Sequence, residues 1–402
     1  MRFRKIPDLD YKQGAKEYAR KLGPSDRHHL LTKPFYNLAH KHDRWEGEGL
    51  DADTHRHFCD FANMAVALAL EPGAKVLDVG CGSGWLCEYF ARFGYNVTGI
   101  DISSDLIDFA RQRLNAVPFG GDHESPLTFE FLVHDIEAGP LATTFDAIIC
   151  YDSLHHFEDE HEVLRNIHTM LNSEGQLFIL EGEAPPEGSS TEDELRTVMA
   201  EYQTLESPFA REYLLRLLRE SGFVVVGDYV TVNGLFDRDS FAQEGLTSFQ
   251  PEAFNYLLCR KTVSPAKELR DSRDPGRLGA RIKTVGSVQT QARAGGPIEF
   301  KIEVENTGDT IWLVSRQPAR GTVRLGLKLL NNRDQVVLEV HGSPPLPHAV
   351  MPGERVTLKI SQVAPNEAGT YKFKLDMVSQ DVAWFEQHRS QTLEIPITVV
   401  SD

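Results

Sequence analysis

Val76-Leu77-Asp78-Val79-Gly80-Cys81-Gly82-Ser83-Gly84, followed by Gly99-Ile100-Asp101, is the stretch on which the reading of this 402-residue chain turns. The apolar run reads as a short buried strand and the alternating glycines as a tight turn. Residues from Trp85 read as a helix, and 96–100 as a second strand ending in a carboxylate. Glycines at 80, 82 and 84 let the backbone turn sharply and approach a ligand with no Cβ in between. Free amides at the start of the helix can hold an anionic group, aided by the helix dipole. Asp101, roughly 20 residues beyond the turn, stands where a carboxylate takes a pair of ribose hydroxyls in doubly wound sheets. The unit therefore predicts a nucleoside-like ligand lying across the carboxyl ends of neighbouring strands.

The glycine spacing is not that of a dinucleotide site. It runs G-x-G-x-G with Asp78 two positions before the first glycine, whereas the dehydrogenase fingerprint is G-x-G-x-x-G. A carboxylate so close to the turn would also serve a pyrophosphate poorly. On these residues the chain resembles the class I S-adenosylmethionine (SAM)-dependent methyltransferases, and the resemblance implies SAM as cofactor. It further implies that the methionine end lies over Gly80, Gly82 and Gly84 with Asp78 nearby, and that Asp101 takes both ribose hydroxyls. Ile102 would pack on the adenine, and Asp135, in Val133-His134-Asp135-Ile136, would accept from its amino group. Tyr151 would flank the sulfonium.

Strand and helix patterns alternate from Lys75 to Lys261, which predicts a mostly parallel, Rossmann-like α/β sheet with helices on both faces. In the family that the chain resembles, the sheet has seven strands and the last inserts antiparallel between the fifth and sixth. Helices are expected over 84–93, 105–115, 160–171 and 210–221, and turns at 172–175 and at Gly222-Phe223. Residues 1–72 read as a helical cap or lid broken at Gly23-Pro24 and Lys33-Pro34, and 73–261 as the methyltransferase domain. The polar stretch 262–280 reads as a linker. Residues 281–402 alternate with period two between Gly-, Pro- and Asn-rich turns, the pattern of an antiparallel β-sandwich. With no cysteine there, the sandwich must rely on its apolar faces and on Trp312 and Trp384. Glu305-Asn306-Thr307-Gly308, Ile311-Trp312, Met351-Pro352-Gly353-Glu354 and Asp376-Met377-Val378 with Trp384-Phe385-Glu386 resemble immunoglobulin-like (Ig-like) domains found beside bacterial polysaccharide-handling proteins. That resemblance implies a glycan-binding module.

A formal charge of −17 argues against broad nucleic-acid binding, which needs a basic footprint. No apolar run approaches the length of a membrane span, and no secretion signal is expected. Five cysteines without a C-x-x-C pair argue against a disulfide framework, so a cytoplasmic protein is expected. His28, His29, His40, His42, His55 and His57 cluster near the start, but without a carboxylate group at metal spacing. No metal is expected from them.

Methyl transfer from SAM is an in-line displacement, so alignment of the nucleophile is the main task and is worth roughly 7–11 kcal/mol. A hydroxyl nucleophile also needs a base. The candidates lie in Cys150-Tyr151-Asp152-Ser153-Leu154-His155-His156-Phe157, at the end of the fourth strand. His155 is the first choice, with His156 and Asp152 beside it; a histidine titrates near neutrality. Glu181 and Glu183 follow the fifth strand, and Tyr202 and Phe209 fall where related enzymes build the acceptor pocket. The expected acceptor is a hydroxyl on a sugar or glycan intermediate. The alternatives are a small natural product with a dimerising sandwich (a homodimer), or a SAM-binding scaffold without turnover.

Overall fold

A computed structural model describes residues 5–36, 52–232, 254–262, 270–288, 290–315, 319–341 and 344–401. The chain divides into two compact units, Met1–Pro265 and Ala266–Asp402.

The first unit opens with α1 (Tyr11–Lys21), α2 (Pro24–Thr32) and α3 (Ala52–Leu68). Its sheet is laid down by β1 (Lys75–Val79), β2 (Asn96–Asp101), β3 (Phe129–Val133), β4 (Phe145–Tyr151), β5 (Leu171–Gly182), β6 (Phe223–Tyr229) and β7 (Phe254–Lys261). Between the strands run α4 (Trp85–Arg92), α5 (Ser104–Asn115), α6 (Glu160–Met170), α7 (Ser190–Tyr202) and α8 (Arg211–Glu220). The spatial order is β3-β2-β1-β4-β5-β7-β6. The first five strands are parallel, and β7 enters antiparallel between β5 and β6. This is the seven-stranded sheet that the resemblance implied. The order reverses between β1 and β4, which opens a crevice at their carboxyl ends where ligands of such sheets bind.

Period-two alternation places successive side chains on opposite faces of the sheet. Leu77, Val79, Ile148, Cys150, Leu177 and Ile179 form one core with Leu164 and Ile167 of α6 and Leu214 and Leu217 of α8. Asp78 points to the other face, where Cys87 of α4 donates its thiol proton to it at 3.2 Å. On α3, the Leu68 carbonyl accepts from Gln176 Nε2 of β5 at 2.9 Å.

Two elements depart from the sequence reading. The stretch 172–175, expected as a turn before β5, lies inside the strand as an irregularity: Phe145 pairs with Leu171 and Ala147 with Gln176, so the ladder skips the intervening residues. Helix α7 was not expected, although its signals are present. The Ser189 side chain caps it by accepting from Glu192 N, and Glu192 and Asp193 stand in its first turn.

The second unit is all-β. β11 (Pro297–Asn306) lies between β9 (Ala280–Val285) and β15 (Arg355–Val363). The other sheet runs β10 (Gln291–Arg293), β18 (Leu393–Val400), β16 (Gly369–Ser379), β13 (Val323–Asn331) and β14 (Val336–His341). Ile302, Val304 and Leu358 of the first sheet share one core with Leu325, Leu327, Phe373 and Ile397 of the second, the arrangement of a sandwich. Trp312 is fully buried, edge-on to Phe385 at 5.3 Å. Trp384, expected in the core, is instead half-buried: Lys328 Nζ sits 3.9 Å over its ring, and Gly326 leaves room for the ring on the sheet. Part of the stretch expected as linker is built into this unit. Arg270–Asp271 (β8) pairs with Thr310–Ile311 (β12), and Ser272 is fully buried.

Gly99 on β2 tests the packing beneath the glycine turn. A Cβ there would stand 2.6 and 2.7 Å from ring carbons of buried Phe131 and 2.9 Å from Cys81 Sγ. Gly99→Ala is therefore expected to destabilise the first unit by about 1–3 kcal/mol, the usual cost of overpacking. Urea unfolding reads this directly, and an unchanged midpoint would show that the ring moves aside freely.

Candidate cofactor and acceptor site

The turn after β1 is pinned to β2 by one acceptor: the Ile100 carbonyl takes the amides of both Gly80 (2.9 Å) and Cys81 (3.0 Å). Gly80, Gly82 and Gly84 have φ of +72°, +52° and +75°, a region that L-residues with a Cβ rarely enter. Asp101, at the end of β2, braces this turn. Its Oδ2 accepts from Gly82 N at 3.1 Å and its Oδ1 from Ser103 N at 2.9 Å. Burial raises the Asp101 pKa, and the two amides oppose that rise by stabilising the carboxylate.

A cavity of about 370 Å³ opens over these groups. Of the residues singled out from the sequence, Gly80, Gly82, Asp101, Ile102, Asp135, Asp152, His155 and His156 line it. Asp78, Gly84 and Tyr151 are not among its lining residues. Asp78 is buried beneath the turn, and desolvation pushes its pKa up to about 7 against the hydrogen bond from Cys87. Gly84 provides close packing: a Cβ there would meet the Ala110 Cβ of α5 at 2.8 Å. Tyr151 turns its hydroxyl away to Asp60 Oδ2 (2.7 Å), while Tyr256 donates to Asp60 Oδ1 (2.7 Å).

Helix α1 forms part of the cavity wall through Tyr11, Lys12, Ala15 and Tyr18. Lys12 Nζ reaches Asp135 Oδ2 at 2.8 Å and Glu137 Oε2 at 3.0 Å. Burial alone would raise the Asp135 pKa; the hydrogen bond and charge of Lys12 prevail and lower it. Arg20 holds Asp105 of α5, and Lys21 donates to the Tyr202 carbonyl. Lys33, also on the wall, stands 5.5 Å from the centre of the Tyr151 ring and 5.7 Å from that of Trp85. Its ammonium is desolvated, which lowers its pKa despite the attraction of Asp152. Arg56 of α3 holds a buried Nη1 with no partner among the described residues. Lys12 on α1 and Lys33, just after α2, carried no signal in the sequence, because both reach the cavity wall from segments remote from the glycine motif.

The opposite wall follows β4. Glu181, fully buried on β5, accepts from Ser153 N (2.9 Å) and Leu154 N (2.5 Å) with Oε1 and meets His155 Nδ1 with Oε2 (2.6 Å). His155 Nε2 lies 3.3 Å from Glu206 Oε2. Burial would lower the His155 pKa, but the two glutamates and Asp152 outweigh it and raise it well above the usual value. Both ring nitrogens of His155 therefore face carboxylates, Glu181 at Nδ1 and Glu206 at Nε2, which favours the protonated ring over the neutral one that a base needs. The Nδ1–H of His156 donates to the Leu205 carbonyl at 2.7 Å, because a carbonyl only accepts, and this leaves Nε2 uncommitted to that bond. Burial would raise the Glu206 pKa; the two imidazoles instead hold it down, at about 2. The positive φ of Asp152 (+51°) makes it a strained residue on this wall.

Other candidates fall outside the cavity. Phe209 is fully buried core, and Tyr202 packs edge-on against Tyr18 at 5.5 Å. Glu183 forms an isolated bridge with Phe209. His57 binds the Asp53 carbonyl and packs among Tyr36, Trp85 and Tyr151. His40 and His42 lie outside the described residues.

Residues 50–227 match the family described as a methyltransferase domain. A ubiquinone biosynthesis O-methyltransferase of Xanthomonas axonopodis pv. citri (strain 306) is 38% identical over 117 residues, which is 28% of this chain and 46% of that protein. The enzyme of the same name from Xanthomonas campestris pv. campestris (strain B100) is 33% identical over 160 residues, 39% of this chain and 62% of that one. The chain thus spans about half the length of the curated relatives it matches. Among solved structures, a magnesium protoporphyrin IX methyltransferase from Synechocystis PCC 6803 with bound SAM aligns with a TM-score of 0.41 at 17% identity, covering 64% of this chain and 100% of that one. A SAM-dependent methyltransferase from Methanosarcina mazei aligns with a TM-score of 0.37 at 20% identity, covering 49% and 96%.

Asp78 gives the fold a pH dependence whose sign follows from its raised pKa. The protonated form is favoured in the folded chain, so this contribution is complete below about pH 4 and is lost as pH rises through about 7. Asp78→Asn should remove that loss. Urea unfolding at pH 5 and pH 8 should show wild type weakening relative to Asp78→Asn, by up to about 1.4 kcal/mol per pH unit in the window. Parallel pH curves for the two proteins would show that Asp78 ionises normally.

Proposed function

We propose that the first unit binds SAM in the cavity and transfers its methyl group to an acceptor hydroxyl. The observation that carries this reading is the position of Asp101: a carboxylate on the cavity wall, fixed to the glycine turn and to the start of α5, at the switch point of the sheet. The match of residues 50–227 to a methyltransferase domain supports it, as do the relatives named for O-methylation. In this reading Asp101 takes the ribose hydroxyls, Ile102 packs on the adenine, and Asp135 accepts from the adenine amino group once Lys12 yields it. Lys33 supplies positive charge for the methionine carboxylate. The sulfonium methyl then faces Asp152, His156 and Glu206.

The chemistry asks for one bond to form and one to break. The acceptor oxygen attacks the methyl carbon, the S–C bond breaks towards S-adenosylhomocysteine, and the hydroxyl proton leaves. The polar wall of Asp152, His155, His156 and Glu206 is where that proton and the hydroxyl are handled. This charged lining favours a polar, hydroxylated acceptor, and we assign it to a sugar or glycan intermediate. The Ig-like sequence motifs of the second unit support that choice, with the sandwich as a glycan-binding module. A phenolic acceptor is the second reading, favoured by the ubiquinone-pathway relatives.

Labelled methyl transfer from SAM into a host-cell extract, separated into nucleotide-sugar, polysaccharide, small-molecule and protein fractions, tests the acceptor. Label in a sugar or glycan fraction is expected; label confined to aromatic small molecules would select the second reading. For the cofactor, Asp101→Ala should weaken S-adenosylhomocysteine about 10- to 100-fold by calorimetry, the loss of charge-assisted hydrogen bonds. Unchanged affinity in a folded variant would remove the basis of the reading.

A further inference from the structure

We propose that His155, His156 and Glu206 form a site for a first-row divalent transition-metal ion of the zinc or cobalt type, set in the acceptor wall of the cavity. One ligand atom from each of the three residues falls within 4.8 Å of the others. The 3.3 Å between His155 Nε2 and Glu206 Oε2 is the spacing of two atoms that share one ion. Bonds of about 2.0–2.1 Å at a tetrahedral angle place their ligand atoms about 3.3–3.4 Å apart.

The residues behind the ligands have the form that metal sites use to hold imidazoles. His155 Nδ1 is backed by Glu181, itself fixed by the amides of Ser153 and Leu154. His156 Nδ1 is held by the Leu205 carbonyl at 2.7 Å and also lies 3.6 Å from Glu206 Oε1, which leaves Nε2 as the nitrogen to take an ion. Such carboxylate and carbonyl partners fix the tautomer and strengthen the imidazole as a ligand. Thr204 Oγ1 donates to Glu206 Oε1 at 3.3 Å. Two imidazoles and one carboxylate suit zinc-type ions, whereas magnesium and calcium prefer oxygen ligands. The charge also fits: an ion on His155 Nε2 would replace the ring proton there and supply the positive charge that Glu181 and Glu206 otherwise draw from the protonated ring. All three ligands line the cavity, so an ion held by them would sit in the acceptor wall.

No sequence motif marks this site, because Glu206 lies about 50 residues from the histidine pair and is delivered by the loop after α7. Of the histidines that cluster in sequence, His57 is packed among aromatic rings. The role of the ion rests on the methyl-transfer reading. An acceptor hydroxyl bound to the ion would have its pKa lowered, so that the alkoxide oxygen forms the O–C bond as the S–C bond breaks and the proton passes to solvent. Binding of the ion itself does not depend on that reading.

The test uses the full chain stripped with a chelator and titrated with Zn²⁺ by calorimetry and with Co²⁺ by visible absorption. One equivalent is expected, with the d–d bands of a four-coordinate Co²⁺ site. Glu206→Gln and His156→Ala should each weaken binding at least 10-fold, by analogy with the 10- to 100-fold effect of losing even an outer-shell partner. His55→Ala should leave it unchanged. S-adenosylhomocysteine affinity retained in Glu206→Gln shows that this variant is folded and separates the two proposals. No stoichiometric binding to wild type, or wild-type affinity in both ligand variants, would overturn the metal site and leave His155 as a protonated ion-pair partner. Tight metal binding without affinity for S-adenosylhomocysteine would instead overturn the cofactor reading.

Discussion

The carbonyl of Ile100 accepts the amides of both Gly80 and Cys81, and this bifurcated bond fixes the loop after β1 to the end of β2. Everything on the cofactor side follows from it. With the turn held, Gly82 N points at Asp101, and the carboxylate joins the turn to the start of α5. The glycines are needed because their backbone takes positive φ and because Ser153 stands only 2.8 Å from where a Gly80 Cβ would be. A tight, glycine-built turn brings backbone amides and one braced carboxylate to the same edge of the sheet, and that combination can hold a nucleoside.

A second buried group organises the facing wall. Glu181 spends one oxygen on two backbone amides and the other on His155, so the turn after β4 has its shape set by one carboxylate on the neighbouring strand. Burying an unpaired carboxylate would cost several kcal/mol, and the hydrogen bonds with the histidine offset that cost. The result is a row of polar groups, from Asp152 to Glu206, held rigidly at the crevice. The two walls are built on adjacent parallel strands, so ligand groups bound to each are brought within reach of one another.

The glycine spacing, the carboxylate at 101 and the strand–helix alternation were legible because they are local: each depends on residues within one turn or one element. The position of β7 came from resemblance rather than from any periodicity in the residues. What stayed hidden depends on pairs far apart in the chain. Tyr151 was expected to face the cofactor, but Asp60, which also accepts from Tyr256, draws its hydroxyl the other way. His155 was expected as the base, but Glu181 and Glu206, from two other segments, face both of its ring nitrogens and favour its protonated form. Lys12 on Asp135 and Lys33 on the wall arrive from α1 and from the turn after α2, whose sequence shows no motif. Trp384 was placed in the core by its hydrophobicity, yet Lys328 and Gly326 hold it near the surface.

The central claim is that this cavity is built for the nucleoside of SAM. A crystal structure of the full chain grown with S-adenosylhomocysteine tests it most directly. The account predicts both ribose hydroxyls on the Asp101 carboxylate, the adenine against Ile102 with its amino group on Asp135, and Lys12 displaced from that carboxylate. A nucleoside bound elsewhere, or lodged in the cavity with its ribose turned away from Asp101, would contradict it.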